Sequence, residues 1–245
     1  MKRIRITGLC LVAIVAMSVV ASSASAAPVF YTKAELGATA PTKVGFTATI
    51  GPAFLEGQKT KAKISCSDIA GSGSKAVGET VSAKVTENNV TTFTGCESSE
   101  LPCNSAGQAS GVIVTNALKG WLGDVVAGKT AGVRLYAQTG RGNALASFEC
   151  GGGIAKVVVT GSVIGSLAGS AGKTVKEGKF AATQKLTFAE AGGLQKYTIF
   201  TTGTGEVGEK AEQLTSSTNG NPENGGQSVI ATIKAEGVSN LGNTL

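Results

Sequence analysis

An all-β antiparallel fold, a two-sheet β-sandwich or jelly-roll-like arrangement behind an N-terminal signal peptide helix, is what this chain predicts, on three observations. Apolar residues recur at every second position through nearly every ordered-looking run, the period of a half-buried strand, and almost nowhere at the helical period. Thirty-five glycines and five prolines punctuate those runs, a composition for turns that need positive φ rather than for stiff linkers. Four cysteines, Cys66, Cys96, Cys103 and Cys150, follow an export-type leader, an even number suited to disulfides in an oxidising compartment.

The leader comes first. Lys2, Arg3 and Arg5 precede an apolar run over 8–20, and Ala24-Ser25-Ala26 supplies the small residues of a cleavage site, the three parts of a secretory signal peptide. The run is shorter than the roughly 20 apolar residues of a spanning helix, so a peptide over 1–26, cleaved after Ala26, is expected, with no membrane span after cleavage. Cys10 follows Leu9 rather than a small residue, so it leaves with the peptide unlipidated. The expected localisation is secreted and extracellular, free or loosely wall-associated. Removal of three basic residues takes the formal charge from +6 to +3, too little to imply nucleic acid.

The mature chain, 27–245, is read as a single β-sandwich domain with a candidate internal boundary near 166–179, where Gly, Ala, Ser and Lys dominate. Its strands follow from period-2 stripes. Val44, Phe46, Ala48 and Ile50 share one face, as do Ala62, Ile64 and Cys66. Lys59, Lys61 and Lys63 fall on the opposite, solvent face of that second strand, where charge protects an edge. Val77, Val81, Ala83 and Val85 form a third stripe interrupted by Glu79. Further strands are expected over 112–118, at Val133, Leu135 and Ala137, over 145–150, and over 154–167 with a bend near Gly161 or Gly165. Phe180, Ala182, Leu186 and Phe188 make another; Glu190-Ala191-Gly192-Gly193 is a hairpin turn into 194–201. A strand over 210–216, a long polar loop over 217–227 and a last stripe at Val229, Ala231, Ile233 and Ala235 complete the chain.

Four cysteines allow three pairings, and spacing favours Cys96 with Cys103 across a short loop, leaving Cys66 with Cys150. By the chain-entropy relation those bridges would contribute about 2.5 and about 4.6 kcal/mol. No metal is expected, because the chain has no histidine and no Cys-x2-Cys pair.

Without histidine, Ser-His-Asp, Cys-His and histidine-metal sites cannot be assembled. Ser72-Gly73-Ser74-Lys75 and Ser170-Ala171-Gly172-Lys173 fit Ser-x-x-Lys but lie in Gly-Ser turns without the partner motifs of that chemistry. Asp68, Asp124 and fourteen glutamates include no evident glycosidase pair; Glu149 and Glu190 are read as surface charge. Gly203-Thr204-Gly205-Glu206-Val207-Gly208 matches Gly-x-Gly-x-x-Gly without a following helix and is read as a turn. No catalytic residue and no cofactor are therefore assigned. Trp121, between Gly120 and Gly123 near a strand end, has two readings: a lid on one end of the core, which the burial habit of large aromatics favours, or a ligand contact. Tyr31, Tyr136 and Tyr197 show no spacing that would join it in a platform. Asn89-Val90-Thr91 is a formal glycosylation sequon in an expected turn.

Phe93-Thr94-Gly95-Cys96, Cys103, Leu118-Lys119-Gly120-Trp121-Leu122-Gly123, Phe148-Glu149-Cys150 and Gly161-Ser162-Val163-Ile164 resemble an uncharacterised secreted β-rich protein family of actinobacteria. Gly193-Leu194-Gln195 and the region of Leu214 are similar to its C-terminal half. The resemblance implies one unit across most of the mature chain and brings no known activity. The expected function is a secreted, disulfide-stabilised, non-enzymatic extracellular or cell-envelope module, its partner a cell-wall polymer, a glycan or a secreted protein. The alternative is a secreted hydrolase using carboxylates or a Ser-Lys pair.

Overall fold

The computed structural model describes residues 30–32, 44–67, 74–82, 85–126, 130–168, 184–202, 213–235 and 241–243. The expected leader, cleavage site and Cys10, together with Ala83, Phe180, Ala182 and positions 169–179 of the expected boundary, lie outside them. Nineteen strands and no helix occur among the described residues. In chain order they begin with β1 (Phe30–Thr32), β2 (Val44–Ile50), β3 (Ala53–Gly57), β4 (Lys63–Cys66), β5 (Lys75–Ser82), β6 (Val85–Phe93), β7 (Cys96–Ser98), β8 (Leu101–Asn104), β9 (Ile113–Val114) and β10 (Leu118–Val126). They continue with β11 (Thr130–Ala137), β12 (Ala146–Cys150), β13 (Ala155–Ala168), β14 (Gln184–Phe188), β15 (Glu190–Ala191), β16 (Leu194–Gln195), β17 (Leu214–Thr218), β18 (Asn221–Ala235) and β19 (Leu241–Asn243).

The expected all-β antiparallel class is what forms, but among the described residues fifteen of these strands belong to one hydrogen-bonded sheet rather than to two facing ones. That sheet closes twice. One ring of eight runs β10-β11-β13-β14-β18-β2-β5-β6 and returns to β10. A second runs β13-β12-β8-β7-β4-β3-β18-β17 and returns to β13. Closure gives every strand of the two rings a partner on both sides and one apolar face to bury. Period-2 stripes satisfy this as well as they satisfy a sandwich, so alternation by itself does not decide between the two.

The two rings share the long strands β13 and β18. Up to Gly161, β13 pairs with β12 and β17; from Ser162 onward it pairs with β11 and β14. Gly161 takes φ 89° at this change of neighbours, and a Cβ there would overlap Gln213 O, so the bend expected from its glycine sits where only glycine fits. In β18 the change falls between Ser228 and Val229. The segment 217–227 is accordingly no loop. Asn219-Gly220, with φ 50° and 83°, forms the two-residue hairpin turn its sequence favours, and β18 starts at once beyond it.

Stripes at Ala48 and Ile50, at Ile64 and Cys66, at Leu186 and Phe188, and at Val229 and Ala231 all face one continuous core with residues from both rings. Two readings shift. The unbroken β2–β5 register sets Ala76 opposite buried Ala48, so Ala76 packs against the core and Val77 faces outward, 45% exposed. Lys59 and Lys61 lie in the β3–β4 turn, Lys61 at φ 56°, so only Lys63 of the expected lysine row is on a strand.

The disulfides correct the expected pairing. Cys66 bonds Cys96 and Cys103 bonds Cys150. Ser99 and Glu100, at φ 50° and 67°, make β7–β8 a tight hairpin with Glu97 opposite Pro102. At its open end Cys96 donates its N–H to Gly111 O at 2.9 Å rather than across the hairpin. Each cysteine then faces outward to the next strand, Cys96 to Cys66 on β4 and Cys103 to Cys150 on β12, with Cα separations of 3.9 and 4.0 Å. No glycine or proline at 99–100 announces that turn, so spacing alone misjudged it.

The interior is not filled. An apolar cavity of about 110 Å³ spans residues of both rings, and one of about 80 Å³ lies inside the first ring, lined from β2, β5, β6, β11, β14 and β18. An eight-stranded ring needs bulky side chains inside, whereas alanine occupies 48, 53, 146 and 231 and only 5% of the chain is aromatic. Left empty, a void of 110 Å³ costs roughly 2–3 kcal/mol.

Candidate binding face

On β10, Leu118 and Leu122 are buried in the core, so Lys119, Trp121 and Gly123 take the opposite face. On β11, Val133 and Leu135 pack inward, leaving Arg134 and Tyr136 to the same outer face. The β10–β11 register sets Lys119 across from Tyr136 and Trp121 across from Arg134, which makes Trp121 and Tyr136 diagonal neighbours. The indole N–H of Trp121 donates to Tyr136 Oη at 2.8 Å. Trp121 therefore does not lid the core, and the hairpin joins it to a tyrosine that sequence spacing had left unrelated. Both rings are half-buried.

Cations frame the pair. Lys119 Nζ is 5.9 Å from the Trp121 ring centroid and 2.9 Å from Glu87 Oε1. Exposed Arg141 places its guanidinium 5.4 Å from the Tyr136 centroid, and Arg134, 2% exposed, lies 5.5 Å from Tyr136 and 5.1 Å from Phe200. These are cation–π distances. The sequence signal that could have found the site is a pair of polar-aromatic alternations, Lys119-x-Trp121 and Arg134-x-Tyr136, on the faces opposite two apolar stripes.

The expected strand over 194–201 supplies the margin of the face. Only Leu194–Gln195 pairs as a strand, in the short hairpin with β15, and the chain then crosses to β10. There Asp124 N–H donates to Thr201 O at 2.8 Å and Thr201 N–H to Asp124 O at 3.0 Å. Phe200 is fully buried; a Cβ at Gly123 would sit 2.7 Å from its ring, so the glycine makes room for it.

The remaining sequence candidates are structural. Glu190 accepts the Gly193 N–H at 2.8 Å across its turn, and Glu149 is half-buried on β12 opposite Lys156. Glu223 is buried and accepts Lys59 N–H at 2.6 Å, Thr60 N–H at 3.0 Å and the Thr60 hydroxyl. Burial alone would push its carboxyl up, but those Thr60 and Lys59 hydrogen bonds and the Lys59 charge outweigh it and hold the pKa below the ordinary glutamate value. Ser74 Oγ accepts the Thr94 N–H at 3.0 Å, and Lys75 is exposed; Ser72, Ser170 to Lys173, Asp68 and 203–208 lie outside the described residues. Asn89 is not in a turn: it is buried, and its amide donates to Thr86 Oγ1 and Leu118 O, which closes the folded chain to glycosylation there. All four expected disulfide cysteines are bonded. No cluster of three or more metal-ligating side chains occurs among the described residues, and no helix there is long and apolar enough to cross a membrane.

Chemically, the face offers two hydrogen-bonded π-systems edged by positive charge, a surface on which a sugar ring can stack while its hydroxyl or acidic groups meet Arg141. No protein-family model, curated protein or solved structure matches the chain.

Proposed function

We propose that the mature chain is a secreted, non-enzymatic binding module that holds a cell-wall polymer or other glycan on its outer Trp121–Tyr136 face. The observation that carries this reading is the half-buried aromatic pair locked by the 2.8 Å indole–phenol hydrogen bond with Arg141 alongside. Two disulfides suit an oxidising environment, in keeping with the leader over 1–26, and the likeness to a secreted actinobacterial family adds no activity to it.

Saturable retention of the purified protein on isolated cell wall or on a glycan array is the test. Trp121→Ala should weaken retention about fivefold or more, the worth of one aromatic contact of about 1 kcal/mol, and Arg141→Ala by less, with circular dichroism unchanged in both. Absence of retention on wall, glycans and secreted proteins alike overturns the proposal.

A further inference from the structure

The two interior cavities share a wall: Ile50, Thr91, Leu135, Phe188 and Ala231 line both. Together their linings reach from the disulfide-bearing ring into the other one. The lining is mostly apolar, with Phe46, Phe54, Phe93, Phe148 and Phe188 among aliphatic side chains, and its few polar residues include Thr86, Asn89 and Thr115, which are hydrogen-bonded within the protein. Thr115 Oγ1 accepts the Thr91 N–H at 2.9 Å, and the Asn89 amide donates at 2.9 Å to Thr86 Oγ1 and at 2.8 Å to Leu118 O. A resident water needs two to four polar partners, and polar side chains are a small minority of this lining. Apolar cavities of comparable size stay dry and take up small hydrocarbons, and eight-stranded closed sheets are wide enough to hold one small ligand.

We infer that the interior is a binding site for one unbranched alkyl chain, threaded past Leu135 and Phe188 from the larger cavity into the smaller. A chain is favoured over a compact ring, because either cavity alone is small and the two meet at the same five residues. The site is separate from the Trp121 face, whose side chains are absent from both linings.

The test is an NMR titration of the disulfide-bonded protein with 1-hexanol, and with benzene for comparison. Saturable methyl shifts at Ile50, Leu135 and Ala231 are expected, with 1-hexanol the tighter probe. Ala231→Leu, which fills the shared wall, should weaken 1-hexanol at least tenfold, and Ala146→Leu, which fills the larger cavity alone, should weaken it as well. Trp121→Ala should leave it unchanged, which keeps this result independent of glycan binding. Unsaturable shifts, shifts confined to exposed Ile154 and Ile199, tighter binding of benzene, or unaltered affinity in the filled variants overturns the inference. If Ala231→Leu fails to fold, Ala146→Leu decides.

Discussion

The two rings of this molecule close the same number of strands by different means. In the ring without cysteines, β2, β5, β6, β10 and β11 run seven to nine residues, long enough for continuous ladders such as the one from Leu118–Ala137 to Asp124–Ala131. In the other, β3, β4, β7, β8 and β12 run three to five. There β4 meets β7 through Ser65–Glu97 and Cys66–Cys96, and β8 meets β12 through Glu149–Asn104 and Cys150–Cys103. Strands that short bury too little surface to hold each other, and at each of these joints a disulfide occupies one of the two register positions. Covalent cross-links stand where the ladder is thinnest.

The largest expected effect tests that contrast directly. With sequence separations of 47 and 30, the chain-entropy relation assigns about 4 kcal/mol to Cys103–Cys150 and about 3.6 kcal/mol to Cys66–Cys96, near parity where the expected pairing implied a twofold difference. Cys103→Ser with Cys150→Ser, and Cys66→Ser with Cys96→Ser, should therefore lower denaturation free energy by similar amounts. Hydrogen exchange should quicken first in β4, β7, β8 and β12 while β10 and β11 keep their protection; uniform loss across both rings would break the comparison.

A middle-sized effect sits at the junction. Gly161→Ala forces a Cβ onto Gln213 O at φ 89° and should cost about 2–3 kcal/mol, with the methyls of both rings shifting because β13 serves both. Shifts limited to one ring would show that the rings are coupled elsewhere.

The smallest concerns the turn that carries β3 into β4. Glu223→Gln should cost about 1 kcal/mol, discounted for a turn near solvent. Because the folded pKa is lowered, the stability from this carboxylate is present above the ordinary glutamate range and fades as pH falls through that range toward the folded value. The variant should lack this part of the acid dependence in urea melts between neutral and acid pH; an identical pH profile would remove Glu223 from the account.

Legibility followed the same division. Stripes such as Ala48-x-Ile50 and Val229-x-Ala231 marked the core because alternation is a local property of a strand, and Gly161 marked the bend because a required positive φ is local too. Glu190 to Gly193 announced its hairpin for the same reason, and Asn219-Gly220 did so equally, although the polar residues after it suggested a loop. The outer face was half legible: Trp121 stood out as a lone indole, but Tyr136 reached it only through the register of β10 on β11.

Local backbone preference and side-chain polarity, both written in the chain, determined that this protein is an antiparallel all-β molecule with an apolar interior and cysteines on the apolar side of their strands. Which strand neighbours which was decided by tertiary structure alone: the double closure through β13 and β18, the Cys66–Cys96 and Cys103–Cys150 partners, and the meeting of Trp121 with Tyr136. The physical reason is that an alternating strand specifies a face to bury but no partner. Register and order come from the whole sheet satisfying its hydrogen bonds at once.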